Sequence, residues 1–300
     1  MPSTLKQIIQ VIVYSLVEAV SEWLPISSTG HLILLDEVWP MLGREAFKNA
    51  FLVLVQLGAV LAVLVLYWSE IWPFVTAPAR APGQGLPPAA MSTYSLGPLH
   101  IDKRIFAMWV KIAVACVPAA VVGVFFDDLL EEHFYNAKTV SIALFVVGLL
   151  FLLMESPLTD KWREWAQFDR LVNRIEDVTW MDAIYIGLFQ MLAAMFPGTS
   201  RSGATILAAL MLGFSRVFAA EFTFIMAIPV MAGASLLKII KHLHDLEPSD
   251  YAFLLLGMAV AFVASLFVIK ALMGYVRQHS FVPFAWYRIV LGIIVWLLLV

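Results

Sequence analysis

Two carboxylates one helical turn apart, Glu18 and Glu22, precede Pro25 and the run Ser27, Ser28, Thr29, Gly30 and His31. Residues four apart on a helix project from one face. In apolar surroundings two such anions repel, and either take up protons or share a cation. Two carboxylates completed by phosphate oxygens are the usual cradle of Mg²⁺. A pair of interfacial carboxylates reaching outward to water is the plainer alternative. Proline ends one helix and the hydroxyl residues open the next, so backbone N–H groups and the positive end of a helix dipole face the gap. Helix N-termini bind phosphate for that reason. Ser28 and His31, three apart on the new helix, share a side, so the imidazole is expected to orient or deprotonate a hydroxyl nucleophile. A capped helix start with an incidental histidine is the competing reading.

A second such string runs Pro197, Gly198, Thr199, Ser200, Arg201, Ser202, Gly203, Ala204, Thr205. Glycine permits close backbone approach, and Ser200 or Ser202 is expected to begin the following helix. Arg201 is the informative residue. A guanidinium deep in an apolar segment requires an anion, and its planar fork suits two phosphate oxygens, with Thr205 one turn along as a further donor. An arginine reaching the interface beside its own helix end is the alternative. Glu221 is expected either to pair with Arg201 or to belong to a metal shell, and the spacing does not choose between them.

The elements that must position these groups follow from composition. Of 300 residues 62% are hydrophobic and 14% charged, far from a soluble domain, in which about a quarter are charged. Runs at Ala50 to Trp68, Ile105 to Phe126, Thr139 to Met154, Val217 to Ile240, Tyr251 to Met273 and Pro283 to Val300 give six expected spans, each near the roughly 20 helical residues a hydrocarbon core requires. They are apolar on all sides, which excludes a barrel. The lone Cys116 excludes an internal disulfide, and a net charge of −3 with no basic arm gives no sign of nucleic acid.

Two further apolar stretches are broken in their middles, at Pro25 and at Pro197-Gly198, and read as re-entrant. Glu18 and Gln190 each stand seven residues before the proline, and Ser28 and Ser200 three after it. The fold class expected is therefore an all-α integral membrane protein of six transmembrane helices plus two re-entrant broken helices, arranged as an inverted-topology repeat with a period of about 170 residues. The first unit covers about 1–155, with its re-entrant segment at 5–40, and the second about 180–300, with its segment at 182–215. Residues 156–180 form a cytoplasmic linker. Basic residues around Arg80, Lys103, Arg104, Lys161, Arg163, Arg170, Arg174 and Arg277 mark the cytoplasmic side, and acidic loops lie opposite. Thr76 to Pro98, rich in Pro, Gly and Ala, reads as a flexible loop without chemistry.

The motifs Glu18-x-x-x-Glu22, Pro25 to His31 and Pro197 to Thr205, with Glu221-Phe222-Thr223-Phe224 and Phe281 to Arg288, resemble the bacterial undecaprenyl-diphosphatase (bacitracin-resistance) family over nearly the whole chain. That resemblance implies hydrolysis of undecaprenyl diphosphate to the monophosphate carrier lipid of cell-wall synthesis, with a divalent cation, Mg²⁺ or Ca²⁺. It also implies the bacterial inner membrane, with the site open to the outer side. By position, Glu18 and Glu22 would serve the metal and the reaction, and Ser28 would be the nucleophile. His31 would orient or deprotonate it. Ser27, Thr29, Ser200, Arg201, Ser202 and Thr205 would hold phosphates. Metal-activated water and a covalent His31 intermediate remain as alternatives to attack by Ser28. A flippase for a phosphorylated polyprenyl lipid shares the fold plan, and an intramembrane serine protease leaves Arg201 unexplained. The bilayer and the lipid substrate are the expected partners, and nothing in the sequence opposes a homodimer.

Overall fold

The computed structural model describes residues 3–75, 93–96, 99–165, 170–242 and 246–300. In chain order its helices are α1 (Ser3–Trp23), α2 (Ser28–Val38), α3 (Glu45–Leu66), the single turn α4 (Trp68–Ile71), α5 (Lys103–Phe125), α6 (Asp127–Phe134) and α7 (Ala137–Met154). They continue as α8 (Pro157–Trp165), α9 (Trp180–Met195), α10 (Arg201–Met211), α11 (Arg216–His242), α12 (Asp250–Val276) and α13 (Val282–Leu299). Polar residues start them as expected from their chemistry. Asn136 caps α7, and Thr179 with Asp182 forms a capping box on α9.

Seven of the described helices are long and apolar enough to cross a membrane: α1, α3, α5, α7, α11, α12 and α13. Six coincide with the expected spans. The seventh, α1, is the first half of the first broken segment; its mean hydropathy, 1.2, is the lowest of the seven because Glu18 and Glu22 interrupt it. Its counterpart in the second broken segment, α9, has 16 residues.

A three-stranded antiparallel sheet corrects the purely helical expectation. Strands β1 (Phe74–Val75), β2 (Thr93–Leu96) and β3 (Leu99–Asp102) pair in the order β1-β3-β2. Tyr94 stands opposite Ile101, and Phe74 meets Ile101 from the other edge, the aromatic and β-branched pairing that stabilises strands. The expected loop from Thr76 to Pro98 otherwise lies outside the described residues. Asp102 ends the sheet and begins α5, its carboxylate accepting from the Arg104 and Ile105 amides. Arg104 adds two further hydrogen bonds to that carboxylate.

The helices pack in matched pairs. α1 lies on α12 as α9 lies on α5, α3 meets α11, and α7 meets α13. Small residues allow these approaches, since lipid offers helices no hydrophobic gain from meeting and close van der Waals contact must hold them. A Cβ at Gly187 would stand 2.5 Å from the Ala115 carbonyl oxygen, and one at Gly58 would collide with the Met258 carbonyl oxygen. Gly58→Ala is therefore expected to destabilise the α3–α12 contact by about 1–3 kcal/mol through overpacking. Thermal unfolding in detergent checks this; an unchanged midpoint would mean that the two backbones can separate without loss.

The first hairpin is fastened behind its break. Tyr14 donates to Asp36 at 2.9 Å and to the Trp39 carbonyl at 3.0 Å, while Gln10 bonds the Pro40 carbonyl and the Leu42 amide at 2.7 and 2.9 Å. The linker before α9 is fastened by Arg170, bidentate on Asp182 at 2.7 and 2.5 Å.

Candidate active site

Both broken segments restart on a serine in an unusual conformation. Ser27, with φ 76°, and Ser200, with φ 69°, are the only non-glycine residues of positive φ among those described. Such backbone costs on the order of 1–3 kcal/mol and is kept where the surroundings demand it. Each serine side chain accepts a hydrogen bond from the amide three residues on, Gly30 at 3.3 Å and Gly203 at 3.1 Å. Ser27 thus corresponds to Ser200, one residue away from the register that the prolines suggest, because the second break holds one residue more. In this register Ser28 stands where Arg201 stands, each the first residue of its restarted helix.

Those two first residues meet at one carboxylate. Ser28 Oγ donates to Glu22 Oε2 at 2.6 Å, and Arg201 Nη2 donates to Glu22 Oε1 at 3.0 Å. The Arg201 and Glu22 side chains are 13% and 10% exposed, so both charges are almost out of contact with solvent. Arg201 also reaches the Thr223 carbonyl at 3.4 Å, and its Nε finds no acceptor among the described residues. A hydroxyl, a carboxylate that accepts from it and a guanidinium are thereby brought together across the two breaks. Glu221 is not part of this pair. Its charged neighbours are Glu70 and Arg277, and the pairing with Arg201 that the sequence left open belongs to Glu22.

One turn before Glu22, Glu18 is 1% exposed, and neither of its carboxylate oxygens has a hydrogen-bond partner among the described residues. Gln56 of α3 is the polar group facing it, outside hydrogen-bonding geometry. A buried carboxylate with free lone pairs is costly unless a cation meets it. Glu18 and Glu22 could therefore hold a divalent cation. No cluster of three or more His, Cys, Asp or Glu is present among the described residues, so such a cation needs ligand phosphate oxygens or water to complete its shell, the habit of Mg²⁺.

Both ring nitrogens of His31 bond to groups other than the serine that the spacing pairs it with. Its Nδ1 lies 2.6 Å from the Ser27 carbonyl oxygen and its Nε2 2.6 Å from the Tyr287 hydroxyl. A carbonyl only accepts, so Nδ1 carries the proton and the neutral ring accepts from the phenol at Nε2. The rings also lie parallel, 5.6 Å apart. Ser28 is served instead by Glu22. The other hydroxyls divide similarly. Ser202 donates to the Glu22 carbonyl at 2.9 Å, tying the second break to the first, and lies 3.1 Å from Ser200. Thr205 is fully buried, donates to the Arg201 carbonyl at 2.9 Å and accepts from Thr223 at 3.0 Å, so it shapes the start of α10. Thr29, half-buried, stands in the first turn of α2. Gln190 bonds the Ala115 carbonyl at 3.4 Å, across helices as its position suggests.

Tyr287 and Thr223 escaped the reading of single residues, as did Arg288, whose guanidinium reaches both breaks. For Arg288 the signal was present, an arginine in an apolar terminal run, the same argument that singled out Arg201.

A family model described as bacitracin resistance protein BacA matches residues 11–294. The chain is 44% identical over 292 residues to an undecaprenyl-diphosphatase of Enterococcus faecalis, covering 97% of both chains. It is 44% identical to an undecaprenyl-diphosphatase of Desulfitobacterium hafniense, over 97% of this chain and 95% of that one. Undecaprenyl-diphosphatase 1 of Clostridium acetobutylicum is 43% identical over 95% of each.

Proposed function

Since the chain belongs to the bacitracin resistance protein BacA family, we infer that it is an undecaprenyl-diphosphatase, a multi-pass membrane enzyme that hydrolyses undecaprenyl diphosphate to undecaprenyl phosphate and inorganic phosphate. The reaction recycles the carrier lipid of cell-wall synthesis, and the family takes its name from the bacitracin resistance this confers. The observation that carries the chemical reading is the chain of contacts from Ser28 to Glu22 to Arg201, at 2.6 and 3.0 Å.

The proposed sequence of events uses those three residues. Arg201 exchanges Glu22 Oε1 for two oxygens of the terminal phosphate, a trade its fork geometry favours. Glu22, released from the guanidinium, takes the Ser28 proton as Ser28 Oγ bonds to the terminal phosphorus in line. The bond from phosphorus to the bridging oxygen breaks, and undecaprenyl phosphate leaves. Water then attacks the phosphoserine, giving inorganic phosphate and restoring the hydroxyl. The amides at the start of α2 and α10 face the same charge. Phosphoryl transfer asks chiefly for such positioning and electrostatic stabilisation. A divalent cation, Mg²⁺ or Ca²⁺, held by Glu18 and Glu22 would neutralise phosphate charge when bound. His31, fixed by Ser27 and Tyr287, acts on this reading by holding the first turn of α2 rather than by taking the Ser28 proton.

We further infer the arrangement of the chain in the membrane. Six helices span, while α1–α2 and α9–α10 form broken segments of two inverted units, about 1–155 and about 180–300, joined by a cytoplasmic linker. The matched packing of α1 on α12 and of α9 on α5 supports this, and loop charge favours a site open to the outer face of the bacterial inner membrane.

Phosphate release from undecaprenyl diphosphate by detergent-purified protein, with and without a chelator, tests the function. Release is expected in the presence of Mg²⁺ or Ca²⁺ and is expected to vanish with chelator and in Ser28→Ala. No release from the unaltered protein under any cation would overturn the phosphatase reading and favour lipid transport.

A further inference from the structure

Arg288 is the largest charged side chain in the interior, at 0% exposure. Its Nη1 donates to the Pro25 carbonyl at 3.1 Å, and its Nη2 donates to the Gly198 and Thr199 carbonyls at 3.0 and 2.9 Å. One guanidinium thereby grips both breaks. Among the described residues no carboxylate lies within ion-pair distance of it, and its Nε has no acceptor. Burying a cation without a counter-charge is expensive, and a hydrophobic side chain of the same volume would normally be the more stable choice. The arrangement therefore calls for a reason beyond packing.

The breaks supply that reason. Each interrupted helix offers the substrate two ends of opposite polarity: N–H groups from the restarting half, and carbonyl groups from the ending half that repel phosphate. The three carbonyls that Arg288 takes up lie inside the breaks themselves, at Pro25 beyond the end of α1 and at Gly198 and Thr199 beyond the end of α9, where they would add to that repulsion. With those covered, the gap presents donors. The same grip sets the spacing of the two breaks, on which the Ser28–Glu22–Arg201 contacts depend. Ser202, bonded to the Glu22 and Leu24 carbonyls at 2.9 and 3.3 Å, makes a second tie between them, but a neutral one.

We propose that Arg288 is a positioning residue for the phosphatase reaction. It locks the two breaks together through their carbonyls, and it leaves one uncompensated positive charge that raises the affinity of the site for phosphate. The proposal rests on the phosphatase reading, and it separates into a geometric and an electrostatic part that two variants distinguish. Arg288→Lys keeps the charge but, with a single nitrogen, cannot span both breaks. Arg288→Met removes both.

The experiment measures three quantities on the full chain in detergent, each normalised to folded protein by its thermal transition. These are phosphate release, competitive inhibition by inorganic phosphate, and deuterium uptake at residues 24–28 and 197–201. For Arg288→Lys, kcat is expected to fall at least thirtyfold with phosphate inhibition within twofold of the unaltered protein, and uptake is expected to rise at both breaks together. For Arg288→Met, inhibition by phosphate is expected to weaken at least fivefold in addition. Unchanged uptake at the two breaks, or a lysine variant with normal kcat per folded molecule, would overturn the clasp. Equal phosphate inhibition in the methionine variant would overturn the electrostatic part. Should the methionine variant not fold, Arg288→Gln, which retains donors without charge, takes its place. Deuterium uptake needs no turnover, so a failure of the phosphatase reading leaves the clasp independently decided.

Discussion

Glu22→Gln is expected to lower kcat for phosphate release by about a thousandfold, on the order of 4 kcal/mol of transition-state stabilisation, and to leave KM unchanged or smaller. Glutamine can still accept a hydrogen bond from Ser28 Oγ, now 2.6 Å from Glu22 Oε2, but it cannot take the proton that must leave as the oxygen attacks. The direction of the KM change follows from the other oxygen. Arg201 is held by Glu22 Oε1 at 3.0 Å and must give up that partner to receive phosphate; glutamine removes the competition. The contrasting variant is Glu18→Gln, whose oxygens touch neither Ser28 nor Arg201: its loss should be a higher cation requirement that saturating cation relieves, whereas the kcat loss of Glu22→Gln should persist at saturation. Steady-state kinetics over a range of Mg²⁺ separate the two. A Glu22→Gln enzyme within tenfold of normal would move the proton acceptor elsewhere, and His31 would be the next residue to test.

Arg201→Lys is expected to reduce kcat/KM by about 10²–10³, roughly 3–4 kcal/mol, although the charge is retained. The side chain makes its contacts from two nitrogens, Nη2 to Glu22 and Nη1 toward the Thr223 carbonyl, and an ammonium group offers a point charge where the phosphate meets a fork. Removing the partner of a nearly buried carboxylate also carries a stability cost of a few kcal/mol; lysine spares most of that. The thermal midpoint of Arg201→Lys should therefore lie close to that of the unaltered protein while its activity does not. Activity that falls only in proportion to folded protein would show that the arginine is structural.

The positions of both breaks were legible because proline and small hydroxyl residues stand where apolar helices should continue, a conflict that sequence displays directly. Glu18, Glu22 and Arg201 were legible for a related reason: charge in hydrocarbon demands a partner. The partner itself was less so. Arg201 lies 179 residues from Glu22, and Glu221, closer along the chain, was as good a candidate on spacing alone. His31 shows the limit more sharply. Helical periodicity places it beside Ser28, yet its Nε2 bonds Tyr287, 256 residues away, and no local pattern carries that information. The one-residue difference between the breaks was hidden because prolines are conspicuous whereas caps are defined by backbone angles. The short sheet before α5 went unread because Pro, Gly and Ala upstream of it dominate the composition of that stretch.

The separation between Glu22 and Arg201 also fixes when the site can exist. The ribosome adds Glu22 early, and Arg201 follows 179 residues later, roughly 10–35 s at ordinary rates of synthesis. For that interval the nascent chain holds its carboxylates and its serine in the membrane with no guanidinium to complete them. Arg288, which joins the two breaks, comes later still. Reactivity toward lipid diphosphates is thus among the last properties the growing chain acquires, and a polypeptide released early carries none of it.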